Sequence, residues 1–137
     1  DIICGFPGES REAFEETLQL IEEVKPDIVN ISKFFSRPRT IAADMHKDFV
    51  PFQEIKRRSS IAAELARKIT FERNQRWVDW AGNIFIDEIG KISDSWVGRN
   101  FTYKPITVKS ANNLFGKTLN VEIVKAFSTY LEGGLIE

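Results

Sequence analysis

The sequence is short of the residues that most often carry catalysis. Among 137 residues there is one cysteine, one histidine and one methionine. A single cysteine, Cys4, makes no intrachain disulfide and completes no cysteine-based metal site. A single histidine, His46, without obvious partners reads as a surface or capping residue rather than a base or ligand. No Ser/His/Asp arrangement is available, and the carboxylates Glu15, Glu16, Glu22 and Glu23 are spaced as a solvated helix face. The single cysteine points to the cytoplasm. No apolar run is long enough to span a bilayer and no signal-peptide pattern is present. Nor is there a net field: the formal charge is −1.

What is present is ordinary globular composition, 42% apolar and 28% charged. Charge is distributed unevenly. Residues 1–45 hold 5 basic and 9 acidic groups, residues 46–76 hold 8 and 4, and residues 77–137 hold 6 and 7. The basic middle is either a solvated helix face or a patch that meets phosphate.

The chain opens on an apolar run, Ile2-Ile3-Cys4, ended by Gly5-Phe6-Pro7-Gly8-Glu9. A strand entering such a turn predicts a βα unit that continues a sheet begun by earlier strands. Ser10 suits an N-cap, and Phe14, Leu18, Ile21 and Val24 form an apolar helical stripe ended by Pro26. Ile28, Val29 and Ile31 predict a second strand running to Phe34 and Phe35, so the first 35 residues form a βαβ unit. Residues 41–50 read as a short irregular or helical link. From Pro51 to Arg76 a helix is expected, with Ile55, Ala62, Leu65, Ala66 and Ile69 inside and Arg57 and Arg58 among its charges. Beyond Trp77, short apolar runs recur about every ten residues. They are Ile84–Ile86, Ile89, Trp96–Val97, Phe101–Tyr103, Ile106–Val108 and Leu119–Val124, with Gly82-Asn83 among the turn signals between them. They predict a small all-β barrel or sandwich, and about 60 residues suffice for five strands closed into an OB-like barrel. The expected fold class is therefore α/β for residues 1–76 followed by all-β for residues 77–137.

Candidate sites follow from this order. The Gly5–Glu9 turn lacks the Lys-Ser/Thr ending of a phosphate loop. Its glycines either let a backbone pass close to a ligand or simply make a tight turn. Arg37 and Arg39 flank Pro38 in a loop after a strand, where guanidinium groups either hold a carboxylate or phosphate or lie solvated. Arg99, Tyr103, Lys104 and Lys109 offer stacking and charge suited to RNA. Trp77 and Trp80 read as packing.

Three blocks of residues, Asp1–Ser10, Val24–Ser32 and Arg37–Met45, resemble the last third of the radical S-adenosylmethionine domain of methylthiotransferases. Residues 77–137, with Asp87-Glu88, Gly98–Ile106 and Val108-Lys109, resemble their C-terminal TRAM domain. Asn30-Ile31-Ser32, Glu72-Arg73-Asn74 and Tyr103-Lys104-Pro105 are most similar to the archaeal and eukaryotic enzymes that methylthiolate C2 of N6-threonylcarbamoyladenosine beside the tRNA anticodon.

The resemblance implies the last βα units of a partial (β/α) barrel followed by a TRAM barrel. It implies two [4Fe–4S] clusters and S-adenosylmethionine in the parent enzyme, with the cluster cysteines upstream and no metal ligand here. The isolated segment would then be inactive. It places Ile3, Gly5, Phe6, Pro7, Gly8 and Glu9 along the adenosyl group, and Asn30, Ser32, Arg37, Arg39 and Thr40 at the same open end. It assigns RNA contact to Arg99, Asn100, Tyr103, Lys104 and Lys109. The implied partners are tRNA and the N-terminal part of the same polypeptide. A non-catalytic RNA-binding module and a relative modifying a ribosomal protein are the alternatives. The family loop reads R-P-G-T-P-A-A. Here Arg39 stands in place of its glycine and Ile41 in place of its second proline, while Ser10 replaces a usual Thr.

Overall fold

A computed structural model describes residues 1–136 and divides the chain into two compact units, Asp1–Thr70 and Phe71–Glu137. In the first unit, β1 (Ile2–Cys4) pairs in parallel with β2 (Ile31–Lys33), with Ile3 opposite Ser32. The crossover between them is α1 (Arg11–Val24). Ser10 caps it, its Oγ accepting from the Ala13 N–H at 3.0 Å. The helix ends where Lys25 adopts a left-handed conformation (φ 47°) just before Pro26. Phe14 and Ile21 are buried, while Val24, expected on the same stripe, is exposed. The second strand is shorter than its apolar run: Ile28 and Phe35 lie outside it and face solvent.

A four-residue helix α2 (Ile41–Asp44) and a 3-10 turn at His46–Asp48 lead to α3 (Phe52–Gln75). Ile55, Ala62, Ala66 and Ile69 are buried as the helical period requires. Arg58, expected on the charged face, is buried with them. It falls on the same stripe, three residues after Ile55 and four before Ala62, and its charge is answered by carboxylates described below.

The second unit is a closed barrel with strand order β3-β4-β5-β7-β6. Its strands are β3 (Ala81–Ile89), β4 (Ser95–Arg99), β5 (Pro105–Lys109), β6 (Thr118–Ala126) and β7 (Leu131–Leu135). Neighbours are antiparallel except for β5 and β7, which run parallel, and β3 pairs with β6 to close the sheet. This is the OB-like barrel that the spacing predicts. Ile84, Ile86, Ile106, Val108, Val121, Ile123 and Leu131 point inward from alternate strand positions and form its core.

Two strand assignments change. Phe101–Tyr103 is the β4–β5 turn: Tyr103 sits at φ 65°, and the exposed rings of Phe101 and Tyr103 add nothing to the core. The fifth strand is Leu131–Leu135 instead, disguised by Gly133-Gly134. A Cβ on Gly133 would approach Ile106 Cγ2 to 3.1 Å and Val121 Cβ to 3.4 Å, so the glycine marks close strand packing rather than a turn. Gly82-Asn83, which reads as a turn, lies inside β3 for a similar reason: the Trp80 indole covers Gly82.

Candidate ligand-facing turn and nucleic-acid interface

In the first unit, the turn after β1 and the loop after β2 leave parallel strands at the same edge, where α/β sheets place ligands. Gly5 (φ 77°) and Gly8 (φ 83°) both hold left-handed backbone, but they meet different surroundings. A Cβ on Gly5 would collide with the Ile55 side chain of α3, whereas one on Gly8 would meet nothing within 4 Å. Gly5 therefore serves packing, and Gly8 leaves open space. Ile3 and Phe6 are exposed and Pro7 is buried. The Phe6 ring lies edge-on to Phe34 (5.5 Å), Phe34 to Phe49 (5.9 Å) and Phe49 to His46 (5.2 Å). This aromatic row borders the open edge and places His46 at its end, in ring contact with Phe49.

Glu9 is turned inward. Its Oε1 accepts from the Gly5 N–H at 3.0 Å and from Arg58 Nη1 at 2.6 Å. The same Nη1 donates to the Glu9 carbonyl at 2.8 Å, and Arg58 Nε donates to Glu54 Oε1 at 2.9 Å. Burial opposes the Arg58 charge, but its bonds to Glu54 and Glu9 outweigh that and raise its pKa. Hydrogen bonds from Arg57 and Arg58 hold the Glu54 carboxyl down at about 2. Burial pushes the neighbouring Cys4 thiol up, the Glu9 charge adds to this and Arg58 opposes it. Sequence reasoning missed this clamp, because its partners lie 49 residues apart.

Asn30, expected at this open end, instead lies at the opposite end of the strand pair, because parallel pairing of Ile2 with Ile31 sets it beside Asp1, whose Oδ1 accepts from Asn30 Nδ2 at 2.8 Å. Ser32 is exposed on β2. Thr40 caps α2: its Oγ1 accepts from the Ala43 N–H at 3.2 Å and donates to the Arg37 carbonyl at 2.8 Å. Arg37 and Arg39 are exposed, and neither forms an ion pair among the described residues. Arg39 stands at φ 65°, a conformation that favours glycine.

In the barrel, the residues expected to contact RNA separate into inner and outer groups. Asn100 is buried, its Oδ1 accepting from the Thr102 N–H (3.1 Å), the Thr102 hydroxyl (2.8 Å) and the Lys104 N–H (3.1 Å). Lys104 is buried and its Nζ donates to Asn74 Oδ1 at 2.8 Å. Asn74 in turn donates to the Phe127 carbonyl at 2.7 Å. Both Asn100 and Lys104 are thus occupied in holding loops. Tyr103 and Lys109 are exposed, and Arg99 is half-buried. Arg99 lies over the Tyr103 ring at 5.6 Å and pairs with Glu88 (3.2 Å) and Asp87 (3.6 Å).

Register places Lys109 at the far end of the β4–β5 pair, opposite Ser95, while Arg99 lies opposite Pro105. Near Pro105, Ile106 pairs with Leu131, which brings the β6–β7 turn to the Tyr103 end. There Phe127 and Tyr130 stack at 4.4 Å with 12° between ring planes, and Lys125 lies 4.9 Å from the Phe127 centroid. Phe101, 82% exposed, approaches Trp77 (6.0 Å) and Trp80 (6.2 Å). Phe127, Tyr130 and Lys125 were not legible as site residues, since only strand register brings them to the same end of the barrel as Tyr103.

An iron–sulfur cluster needs several thiolates. The chain has one cysteine, which is buried, and among the described residues no group of three or more His, Cys, Asp or Glu is gathered. The residues present do not hold such a cluster. No described helix is long and apolar enough to cross a membrane.

No family model matches the chain. Curated relatives do. A probable threonylcarbamoyladenosine tRNA methylthiotransferase of Methanothermobacter thermautotrophicus is 37% identical over 96% of this chain and 30% of its own length. A tRNA-2-methylthio-N(6)-dimethylallyladenosine synthase of Sulfurihydrogenibium sp. is also 37% identical, over 99% of this chain and 31% of its own length. A second probable threonylcarbamoyladenosine enzyme, from Pyrococcus horikoshii, is 34% identical over 99% of this chain. The relatives are tRNA methylthiotransferases, and the chain spans about a third of their length.

Proposed function

We propose that this chain is the C-terminal segment of a radical S-adenosylmethionine tRNA methylthiotransferase. Its substrate would be N6-threonylcarbamoyladenosine beside the anticodon, methylthiolated at C2. The observation that carries the proposal is near-complete alignment of the chain, at 37% identity, with a threonylcarbamoyladenosine tRNA methylthiotransferase. The parent's clusters would draw their thiolates from residues outside this chain, because Cys4 alone cannot supply them. Tyr103-Lys104-Pro105 and Asn30-Ile31-Ser32 favour the threonylcarbamoyl substrate. The equal identity of the Sulfurihydrogenibium relative favours a second reading, dimethylallyladenosine.

The two units would divide the work. In the first, Ile3, Phe6 and Gly8 offer an exposed, open face that fits the adenosyl group of S-adenosylmethionine, which would supply the methyl group when bound. Gly5, Pro7 and Glu9 support that face from beneath. Arg37, Arg39 and Thr40 would stand at the same edge as the substrate-side loop, with Ser32 on the strand that leads to it. In the second unit, the TRAM barrel would bind tRNA through the end bearing Arg99, Phe101, Tyr103, Lys125, Phe127 and Tyr130, with Lys109 farther along β5. Exposed rings beside cations suit stacking on unpaired bases and contact with phosphate.

The test is binding of the chain to an anticodon stem-loop carrying N6-threonylcarbamoyladenosine, followed by fluorescence anisotropy across a salt series. Tyr103→Ala is expected to weaken binding about tenfold through lost stacking. Lys109→Ala should weaken it less and make the salt dependence shallower by about 0.7 in slope. Wild-type affinity in both variants would remove this face from the interface. For the first unit, Gly8→Val in the full polypeptide should impair S-adenosylmethionine binding, and an unchanged dissociation constant would leave Gly8 as a turn residue only.

A further inference from the structure

The basic stretch of residues 46–76 is only partly explained by the ion pairs of the first unit. Arg57 and Arg58 are neutralised by Glu54 and Glu9. Arg67 of α3 and Lys33 of β2 are not: neither forms an ion pair among the described residues. Both line one cleft of about 310 Å³ between β2 and α3, together with Ile31, Ser59, Ser60 and Ala63.

Several features of this cleft are those of an oxyanion site. Its two charges are both positive and no carboxylate lines it. Ser60, Ala63 and Arg67 follow one another at three- and four-residue steps, so they share one helix face toward Lys33. The Ser59 and Ser60 hydroxyls donate only to the Lys56 carbonyl, each at 3.0 Å, and can rotate to donate to an incoming oxygen. Phe52 lies 5.9 Å from the Lys33 ammonium and offers its ring face to it. Arg67 adds a planar fork matched to phosphate oxygens.

We propose that this cleft binds phosphate, and that its occupant is the sugar–phosphate backbone of the RNA whose base the parent enzyme modifies. The inference rests on the tRNA reading above. It gives the first unit an RNA contact of its own, separate from the barrel. Two unpaired cations with flanking hydroxyls recognise backbone and not sequence. Lys33 and Arg67 would therefore set affinity and register, leaving base recognition to other residues.

The experiment uses the 137-residue chain, labelled with 15N, with two probes: the anticodon stem-loop and inorganic phosphate. Lys33→Ala/Arg67→Ala is expected to lower RNA affinity about tenfold and make the log–log salt slope shallower by about 1.5, as two lost phosphate contacts require. Lys33→Arg/Arg67→Lys should retain most of both. Millimolar phosphate should shift the Ser59 and Ser60 amide signals in wild type and not in the double alanine variant. If that variant loses its helical circular dichroism, Ser60→Glu, which adds a negative charge at an exposed position, reads the same loss. Unchanged RNA affinity and slope with phosphate shifts retained would overturn the RNA assignment and leave a free phosphate as occupant. No shift and no affinity change would overturn the site itself. A wild-type chain that binds no RNA but shows the phosphate shifts would instead sink the tRNA reading and keep the cleft.

Discussion

At the scale of single residues, Arg58 organises the first unit. One guanidinium bonds Glu9, Glu54 and the Glu9 carbonyl while almost wholly buried, so its removal strands a carboxylate and a carbonyl with little access to water. Arg58→Ala is expected to destabilise by about 3 kcal/mol in urea unfolding, the loss typical of breaking a buried pair on one side. Arg58→Lys should recover only part of this, because an ammonium cannot reproduce the fork. Arg39 presents the opposite case. At φ 65° it bears left-handed strain on an exposed loop, and Arg39→Gly is expected to raise stability by about 0.5 kcal/mol once glycine's greater unfolded-state freedom is deducted. A lower unfolding midpoint in Arg39→Gly would show that the guanidinium has a partner worth more than the strain. Arg39 stood out in the sequence because it interrupts a glycine position. Arg58 was legible only in part: its place on the stripe with Ile55 and Ala62 was visible, but its acceptor, Glu9, was not.

At the scale of elements, α3 carries one acid-sensitive contact of the first unit. Its Glu54 carboxyl sits at about 2 in the folded chain, depressed from 4.5 by bonds from Arg57 and Arg58. A depressed carboxyl contributes stability above its unfolded pKa and loses it as pH falls through the folded one. Stability should therefore decline between about pH 4.5 and 2, and Glu54→Gln should flatten part of that decline when urea midpoints are followed against pH. At the other end of the helix, Asn74 and Lys104 join α3 to two barrel loops within the second unit. Lys104→Ala is expected to lower barrel stability by about 1–3 kcal/mol, since the buried Asn74 oxygen loses a charged donor. The salt slope of RNA binding should stay as in wild type. A shallower slope would put Lys104 on phosphate instead. Here the sequence misled in an instructive way. Composition places Lys104 beside Tyr103 on a surface, yet a left-handed turn at Tyr103 sends the two side chains to opposite sides. Likewise Leu131–Leu135 hid as a strand because glycine marks both turns and tight packing, and only the facing residues, Ile106 and Val121, decide between them.

At the scale of the whole molecule, two units of different architecture carry two different surfaces. Recurring short apolar runs pointed to the barrel but misplaced one of its five strands, and strand–helix–strand order sufficed for the βαβ unit. The surfaces were harder to see, because each is assembled by register or by helix packing from residues far apart in sequence. The Phe127–Tyr130 stack at the Tyr103 end of the barrel and the Lys33–Arg67 cleft are the examples. The central claim is that these surfaces belong to an enzyme that methylthiolates N6-threonylcarbamoyladenosine in tRNA. It is tested most directly by expressing the full polypeptide that contains this segment in a host lacking such activity, and analysing tRNA nucleosides by mass spectrometry. The expected result is a new nucleoside heavier than N6-threonylcarbamoyladenosine by one methylthio group replacing hydrogen, absent when the segment is deleted. Methylthiolation of dimethylallyladenosine alone, or no methylthiolated nucleoside from a well-expressed and cluster-loaded polypeptide, would contradict it.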